Sequence, residues 1–398
     1  MKQIYPATIT GKSFASGGSV LDHKFGQSDP YTLGVEEEYM LLDPETFDLV
    51  QHIDTVLAAM AGHELETRVN PELMQSVLEI ATPVCRTAAD VMDELLKLRG
   101  YVGEVANKKG LRVGSAGTHP FSLFERQRIT ARDRYRNLVD QLQYVARREL
   151  IFGMHVHVAV DDAEKAIQIV NGMLVELPTL LALSASSPFW RGEPTGLSSS
   201  RQMVFAAFPR SGPPPRFKDY GDYAEVVGQL EKTGCIADYT HIWWDVRLHP
   251  RLGTVEIRIC DAVTAVDHAV ALTAYCQALV KDLCERYDSG EGIPTFHRIL
   301  TTENKWLGAR YGLEAPLIDL ETGRRNRIPV AQLVRRTLRR LEPHARELGS
   351  ERELEGIREI LRRGNGADRQ LRTYNANRDV VEVVREIADT TEVVAVAV

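Results

Sequence analysis

Residues 34–39 read Gly34-Val35-Glu36-Glu37-Glu38-Tyr39, at the centre of an apolar-rich stretch spanning 31–42. Side chains alternate between the two faces of an extended strand. Glu36 and Glu38 therefore share one face, and Glu37 lies on the other. Two adjacent carboxylates repel each other and lose solvation on burial. A divalent cation relieves both costs. All-oxygen clusters of this kind suit Mg²⁺, which commonly binds a few carboxylates together with nucleotide phosphates. Taken alone, Glu-x-Glu also fits a solvated strand face.

Moving outward, a turn at Asp43-Pro44-Glu45 precedes a second expected strand at 64–69. Then comes Asn70-Pro71-Glu72-Leu73-Met74-Gln75-Ser76-Val77-Leu78-Glu79-Ile80-Ala81-Thr82-Pro83. Glu79 stands inside an apolar run, where a lone carboxylate is costly unless paired or ligated. Glu72 lies seven residues earlier, about two turns away on one face if the segment is helical. An edge carboxylate in a salt bridge is the competing reading.

Two later segments carry the same alternation. A strand at 151–160 contains Phe152-Gly153-Met154-His155-Val156-His157-Val158, with His155 and His157 on one face. Alternating imidazoles can reach a metal or a phosphate, or can form only the polar face of a half-exposed strand. Strands at 242–248 and 254–260, joined by His249-Pro250-Arg251-Leu252-Gly253, give the clearest hairpin. Glu256 and Arg258 share a face of its second strand. They read either as a cross-strand ion pair or as a metal ligand beside a guanidinium for a transferring phosphoryl group. In Trp243-Trp244-Asp245, Trp244 is the candidate for a substrate pocket, against two packing indoles. Cys260 reads as a buried, inert thiol.

Helical spacing covers 88–109, 132–148, 161–186 with Pro178 as a kink, 219–232 and 266–285. A short strand is expected at 111–116. From 328 the chain reads as mostly helical, with breaks near Gly349 and at 364–366. Residues 191–215 form a loop system rich in Gly, Ser and Pro, a length that is often functional. No βαβ period appears, so the expected class is α+β with a largely antiparallel sheet. A polar leader at 1–30, loosely ordered in part, precedes a single catalytic domain at 31–398.

The 398 residues are 44% hydrophobic, enough to bury a sizeable core. Lys and Arg total 48 against 55 Asp and Glu, a net charge of −7 that lacks the basic stripe of a nucleic-acid binder. Five cysteines, with no Cys-x-x-Cys, argue against a disulfide framework or a zinc ribbon. Reduced thiols fit a cytosol. Neither a signal-peptide core nor an apolar run of membrane-spanning length is present. A cytoplasmic chain without nucleic-acid or membrane partners is expected. Thr10-Gly11-Lys12-Ser13 resembles the end of a P-loop, but Pro6 stands where that motif needs glycine. The arginines at 324, 325, 327 and 335–340 read as solvated surface.

In order, Gly-Val-Glu-Glu-Glu-Tyr, Leu-Glu-Ile-Ala-Thr-Pro, Gly-Met-His-Val-His and Val-Glu-Ile-Arg resemble the glutamate–cysteine ligase superfamily. The branch most resembled is type 2, the bacterial carboxylate–amine ligases. The similarity runs from about residue 31 to the C-terminus and includes Asn365-Gly366-Ala367-Asp368-Arg369-Gln370. It implies a curved, mainly antiparallel sheet with helices on its outer face, a glutamine synthetase-like catalytic architecture. It implies ATP and about two or three Mg²⁺ ions on the concave face, with Mn²⁺ as the alternative ion. Glu36, Glu38, Glu72, Glu79, His155 and Glu256 fall on the family's metal positions. Glu256 and Arg258 are the implied catalytic residues, with Arg258 at the γ-phosphate and His157 beside the nucleotide. Arg201, in Leu197-Ser198-Ser199-Ser200-Arg201, resembles the arginine that holds a substrate α-carboxylate. Related proteobacterial ligases carry Asp in place of Glu72 and Asn in place of His157. Small amino acid or amine substrates and a homo-oligomer such as a dimer are also implied.

The implied reaction joins a carboxylate to an amine, in a γ-glutamyl or similar linkage. The carboxylate attacks the γ-phosphorus of ATP, giving an acyl phosphate and ADP. The amine then displaces phosphate and leaves an amide. Such chemistry asks for positioning and charge stabilisation rather than a protein nucleophile. Two other readings compete. A metal-dependent hydrolase of the His-x-His type fits poorly with a mid-chain motif and no βα period. A non-catalytic homologue that binds ATP or an amino acid fits poorly with the retained carboxylates and Arg258.

Overall fold

The computed structural model describes residues 22–293, 296–322 and 326–392. Its main sheet has seven strands: β1 (Leu33–Leu42), β2 (Val69–Pro71), β3 (Val77–Ala81), β4 (Arg112–Gly114), β5 (Met154–Ala159), β6 (Val246–His249) and β7 (Thr254–Ile257). They run in the order β6-β7-β5-β1-β3-β2, with β4 also pairing to β1. Every pairing in this sheet is antiparallel. The α+β reading from sequence is the observed class.

Alternation decides what each face carries. Leu33, Val35, Tyr39 and Leu41 of β1 join Leu78, Ile80, Met154, Val156, Val158, Val255 and Ile257 in one buried cluster. Helices α1 (Ala88–Lys108), α2 (Ala163–Met173) and α3 (Val266–Asp288) contribute to that layer. Each such Val, Ile or Leu contributes about 1.5–3 kcal/mol when fully buried. The other face is polar where β1, β3, β5 and β7 cross. It turns apolar only towards Met40, Leu42 and Val77, which enter a second cluster with Phe152, Phe205 and Phe208.

Several expected elements differ. The strand expected at 64–69 is a single 3-10 turn at Glu66–Arg68 followed by β2. The helix expected at 132–148 breaks at Gln143, whose φ is 50°, into Asp133–Leu142 and Tyr144–Arg147. The long helix expected at 161–186 is α2 and Leu177–Ser184, bent by 64°. Pro178 opens the second piece, where its missing N–H costs nothing. The end of the expected leader is docked. Phe25 is buried in the core, Lys24 N donates to Pro250 O at 2.9 Å and Gly26 N donates to Val160 O at 3.1 Å. Gly26, at φ +80°, could not carry a Cβ, which would lie 2.5 Å from Asp161 O. The P-loop-like tetrapeptide at 10–13 and Arg324 and Arg325 lie outside the described residues. Arg336 and Arg340 are not simply solvated. They reach into buried acids, Arg336 to Asp319 at 2.8 Å and Arg340 to Glu176 at 3.2 Å. Among the described residues no single helix is long and apolar enough to cross a membrane.

Candidate active site

Cross-strand register assembles the polar face. Glu38 of β1 stands opposite Glu79 of β3, Glu36 of β1 opposite His155 of β5, and Glu256 of β7 opposite His157 of β5. These side chains line a cavity of about 300 Å³, together with Glu72, Arg201 and Arg258. Residues from separate segments thus meet on one surface, as the sequence suggested. Glu72 and Glu79 arrive there differently from the helical reading. Val77–Ala81 is a strand, with Leu78 and Ile80 turned to the helices and Glu79 to the cavity. Glu72 reaches the same cavity from the loop after β2 and accepts a hydrogen bond from Leu73 N at 3.0 Å.

Three sets of ligand atoms lie within 4.8 Å of one another: Glu36–Glu79–His155, Glu38–Glu72–Glu79 and Glu36–His157–Glu256. The electrostatics of these groups suit a bound cation. Burial, then the neighbouring Glu36, Glu72 and Glu38 charges, hold the Glu79 carboxyl well above its usual range. Burial and then Glu72 push Glu38 up to about 7. Glu72 is likewise raised by burial. His155 Nδ1 lies 3.0 Å from Glu36 Oε2, yet burial, then the Arg258 charge, lower the imidazole to about 4. It is therefore a neutral ring, the form that ligates metals. His157 Nδ1 lies 3.0 Å from Thr254 Oγ1, while its buried Nε2 has no hydrogen bond and stands 3.5 Å from Glu36 Oε1. One ring nitrogen anchored and the other free is the usual state of a ligating histidine. This places His157 in a donor set, beyond the nucleotide contact expected from sequence. The donor chemistry fits Mg²⁺ at the all-carboxylate set and accommodates Mn²⁺ where imidazole joins.

Glu256 is the opposite case. Burial would raise its carboxyl, but Arg247 and Arg258 outweigh burial and hold it well below the usual range. Arg247 Nε donates to Glu256 Oε2 at 2.6 Å, and Arg258 Nη1 donates to Glu256 Oε1. Arg258 Nε is buried without a partner. Arg201 opens the short helix Arg201–Phe205 within the long loop. Its guanidinium donates to Ile259 O at 3.3 Å and Arg258 O at 3.4 Å, and Nε is unpartnered. A Cβ at position 153 would lie 2.5 Å from Arg201 Nη2 and 3.1 Å from His155 Nε2, so Gly153 permits this approach. Asp261 fixes the loop behind Arg201, accepting from Ser187 Oγ at 2.7 Å and Ser199 Oγ at 2.8 Å.

Trp244 is the expected site residue that the structure moves. It is buried in the helix-side core with its ring 5.5 Å from Phe217, and Trp243 lines the cavity instead. Adjacent residues on a strand face opposite ways, so only one indole could. Cys260 is buried, with its thiol pushed up to about 12 by burial. Sequence reading missed several cavity residues, among them Arg247, Glu149 and Tyr135. Arg247 had a signal, since it sits between Val246 and Leu248 and opposite Glu256 in the hairpin register. Glu149 and Tyr135 had none, because only tertiary packing brings them to this face.

The chain belongs to glutamate–cysteine ligase family 2, whose model matches residues 32–387. A relative from Rubrobacter xylanophilus, named "Putative glutamate--cysteine ligase 2-1", is 45% identical over 371 residues, 93% of this chain and 97% of that protein. The glutamate–cysteine ligase of Francisella tularensis, solved in complex with AMP, superposes with a TM-score of 0.66 at 12% identity, covering 92% of this chain and 90% of that one. A bifunctional glutathione synthetase from Pasteurella multocida gives a TM-score of 0.67 at 16% identity, covering 91% of this chain and 52% of that one. At these identities the two structures speak for the fold alone.

Proposed function

We propose that the chain is an ATP-dependent carboxylate–amine ligase that forms a γ-glutamyl-type amide through an acyl phosphate and releases ADP and phosphate. One observation carries this reading: acidic and imidazole donors from β1, β3, β5 and β7 converge, with Arg258, on a single cavity. Family membership points the same way, and the AMP carried by the Francisella relative agrees with nucleotide use. In this reading Glu36, Glu38, Glu72, Glu79, His155, His157 and Glu256 hold Mg²⁺ or Mn²⁺. Bound cations supply neutralising charge for a triphosphate. Arg258, fixed by Glu256, faces the transferring phosphoryl group, and Arg201 holds the carboxylate of an amino acid substrate. Arg247 keeps Glu256 ionised and in place. Residues 31–398 act as one catalytic unit in the cytoplasm.

The cavity favours this reading over a His-x-His hydrolase. Here the two histidines share their ligand sets with glutamates in an antiparallel sheet, where the hydrolase reading expects a parallel barrel strand. ADP release from ATP, Mg²⁺ and pooled amino acids, with product mass spectrometry, tests the proposal. Glu256→Gln and Arg258→Ala should each lower ADP release by about 10³-fold or more with an unchanged circular dichroism spectrum. Near-normal turnover in either variant removes the assigned role. Amide consumption without ATP would favour the hydrolase.

A further inference from the structure

Glu149 is a cavity residue to which the reaction above gives no task. It follows the short helix Tyr144–Arg147 and lines the same cavity as Arg201 and Glu38. The residue as a whole is only partly buried. Both of its carboxylate oxygens are buried, however, and neither accepts a hydrogen bond from any described residue. Buried carboxylate oxygens normally have donors. Burial pushes the carboxyl up to about 8, with the Arg201, Glu38 and neighbouring Arg148 charges as lesser influences. Yet Arg201 makes no ion pair with it. The Arg201 guanidinium rests on backbone carbonyls with Nε unused, 4.0 Å from Asp261. An acid and a base thus face one cavity, each with unused hydrogen-bonding capacity and neither closing on the other.

A free amino acid presents an ammonium and a carboxylate on the same carbon and can bridge such a pair. We propose that Glu149 is a specificity-determining residue that receives the α-ammonium of the carboxylate-donating substrate while Arg201 receives its α-carboxylate. The inference rests on the ligase reading above and assigns a residue to the α-ammonium of its γ-glutamyl donor. The donor is an α-amino acid that reacts through a distal carboxylate, with both α-groups as spectators. The ammonium bound by Glu149 cannot be the attacking amine, because a protonated nitrogen held against a carboxylate has no free electron pair. Glu149 thus selects the acid, and the second substrate supplies the nucleophile.

The test uses the full chain with Mg²⁺ and compares L-glutamate with glutarate, which lacks only the amino group. Binding is read by calorimetry and ligation by ADP release. Wild-type protein should favour glutamate on the order of 100-fold, as expected when one partner of a buried charge pair is deleted. In Glu149→Gln that ratio should collapse towards one, and Glu149→Asp should restore part of it. A structural role alone would change stability and leave the ratio intact. The proposal is overturned if Glu149→Gln keeps full discrimination, or if wild-type protein binds glutarate as tightly as glutamate. ADP release that never depends on any carboxylate would instead overturn the ligase reading, whatever the binding ratio.

Discussion

The two sides of β1 bury carboxylates in opposite ways. Glu37 faces the helices and is fully provided for. Arg99 Nε and Nη2 donate to it at 3.0 and 2.6 Å, and Tyr39 Oη also donates. The same guanidinium closes onto Thr264 O at 2.7 Å and Val263 O at 3.3 Å. Glu38, Glu72 and Glu79, on the other side, have neighbours of their own sign and carboxyl groups raised by burial. Strand alternation sends Glu37 into the closed core and Glu38 to the half-buried cavity floor. One side carries its counter-charge within the chain, and the other leaves it to be supplied. That difference separates a structural acid from a ligand.

The contrast can be broken first on its structural side. Arg99→Met leaves Glu37 buried and alone, and should cost about 3–5 kcal/mol in urea unfolding, with or without Mg²⁺. The double variant with Glu37→Leu should recover much of the loss, since removing both charges removes the desolvation penalty. A loss below about 1 kcal/mol in the single variant would deny the pair its structural role. On the other side, Glu79→Gln should leave cation-free stability near or above that of the wild type. It should also abolish most of the stabilisation by Mg²⁺, which for a bound cation is about 2.7 kcal/mol at a hundred times Kd. Glu79 belongs to two donor sets and Glu72 to one, so Glu72→Gln should lose less. Equal losses, or an undiminished Mg²⁺ response in Glu79→Gln, would count against the shared-ligand arrangement.

How much of this was legible depended on how local the rule was. Period-two alternation involves only neighbours in sequence, so the faces of Glu36 and Glu38, of His155 and His157, and of Glu256 and Arg258 were readable. The stretch around Glu79 fitted two periods. Seven residues from Glu72 to Glu79 suit a helix, and Leu78-Glu79-Ile80 suits a strand; pairing with β1 decided it. Nothing in Gln143 announces a positive φ, so the break in the helix there was hidden. Trp243 and Trp244 could be known to differ in face, but which one faced the cavity awaited the sheet's orientation. Arg99, the partner of Glu37, lies 62 residues along the chain from it, and no local pattern links the two.

The smallest effect is also the one that reads the charge state of the site directly. A carboxyl whose pKa rises on folding takes up protons as the chain folds. Its contribution favours the folded state below the ordinary carboxylate range and fades as pH passes the raised value. Glu38, pushed up to about 7 by burial and then by Glu72, behaves this way, as does Glu149, pushed up to about 8 by burial. Glu79, held well above its usual range, extends the trend. The buried imidazoles of His119, His155, His249 and His268, each lowered to about 4 by burial, run oppositely. Their gain is complete once pH exceeds about 6.5, the ordinary histidine value. Glu36 and Glu256, held well below the usual range, matter only in acid. Between about pH 6.5 and 8.5 the raised carboxyls dominate, joined by His157, where against the opposing effect of burial Glu36 and Glu256 raise the imidazole. Cation-free protein should there lose up to about 1.4 kcal/mol per pH unit for each proton released. Saturating Mg²⁺ should reduce the slope, because the ligated carboxylates are then ionised throughout, while Glu149, outside the donor sets, keeps its share. Urea midpoints across this range, in EDTA and in Mg²⁺, give both curves. Two parallel curves would mean that the cation does not sit among these carboxylates, and the distinction between the two faces of β1 would then need another cause.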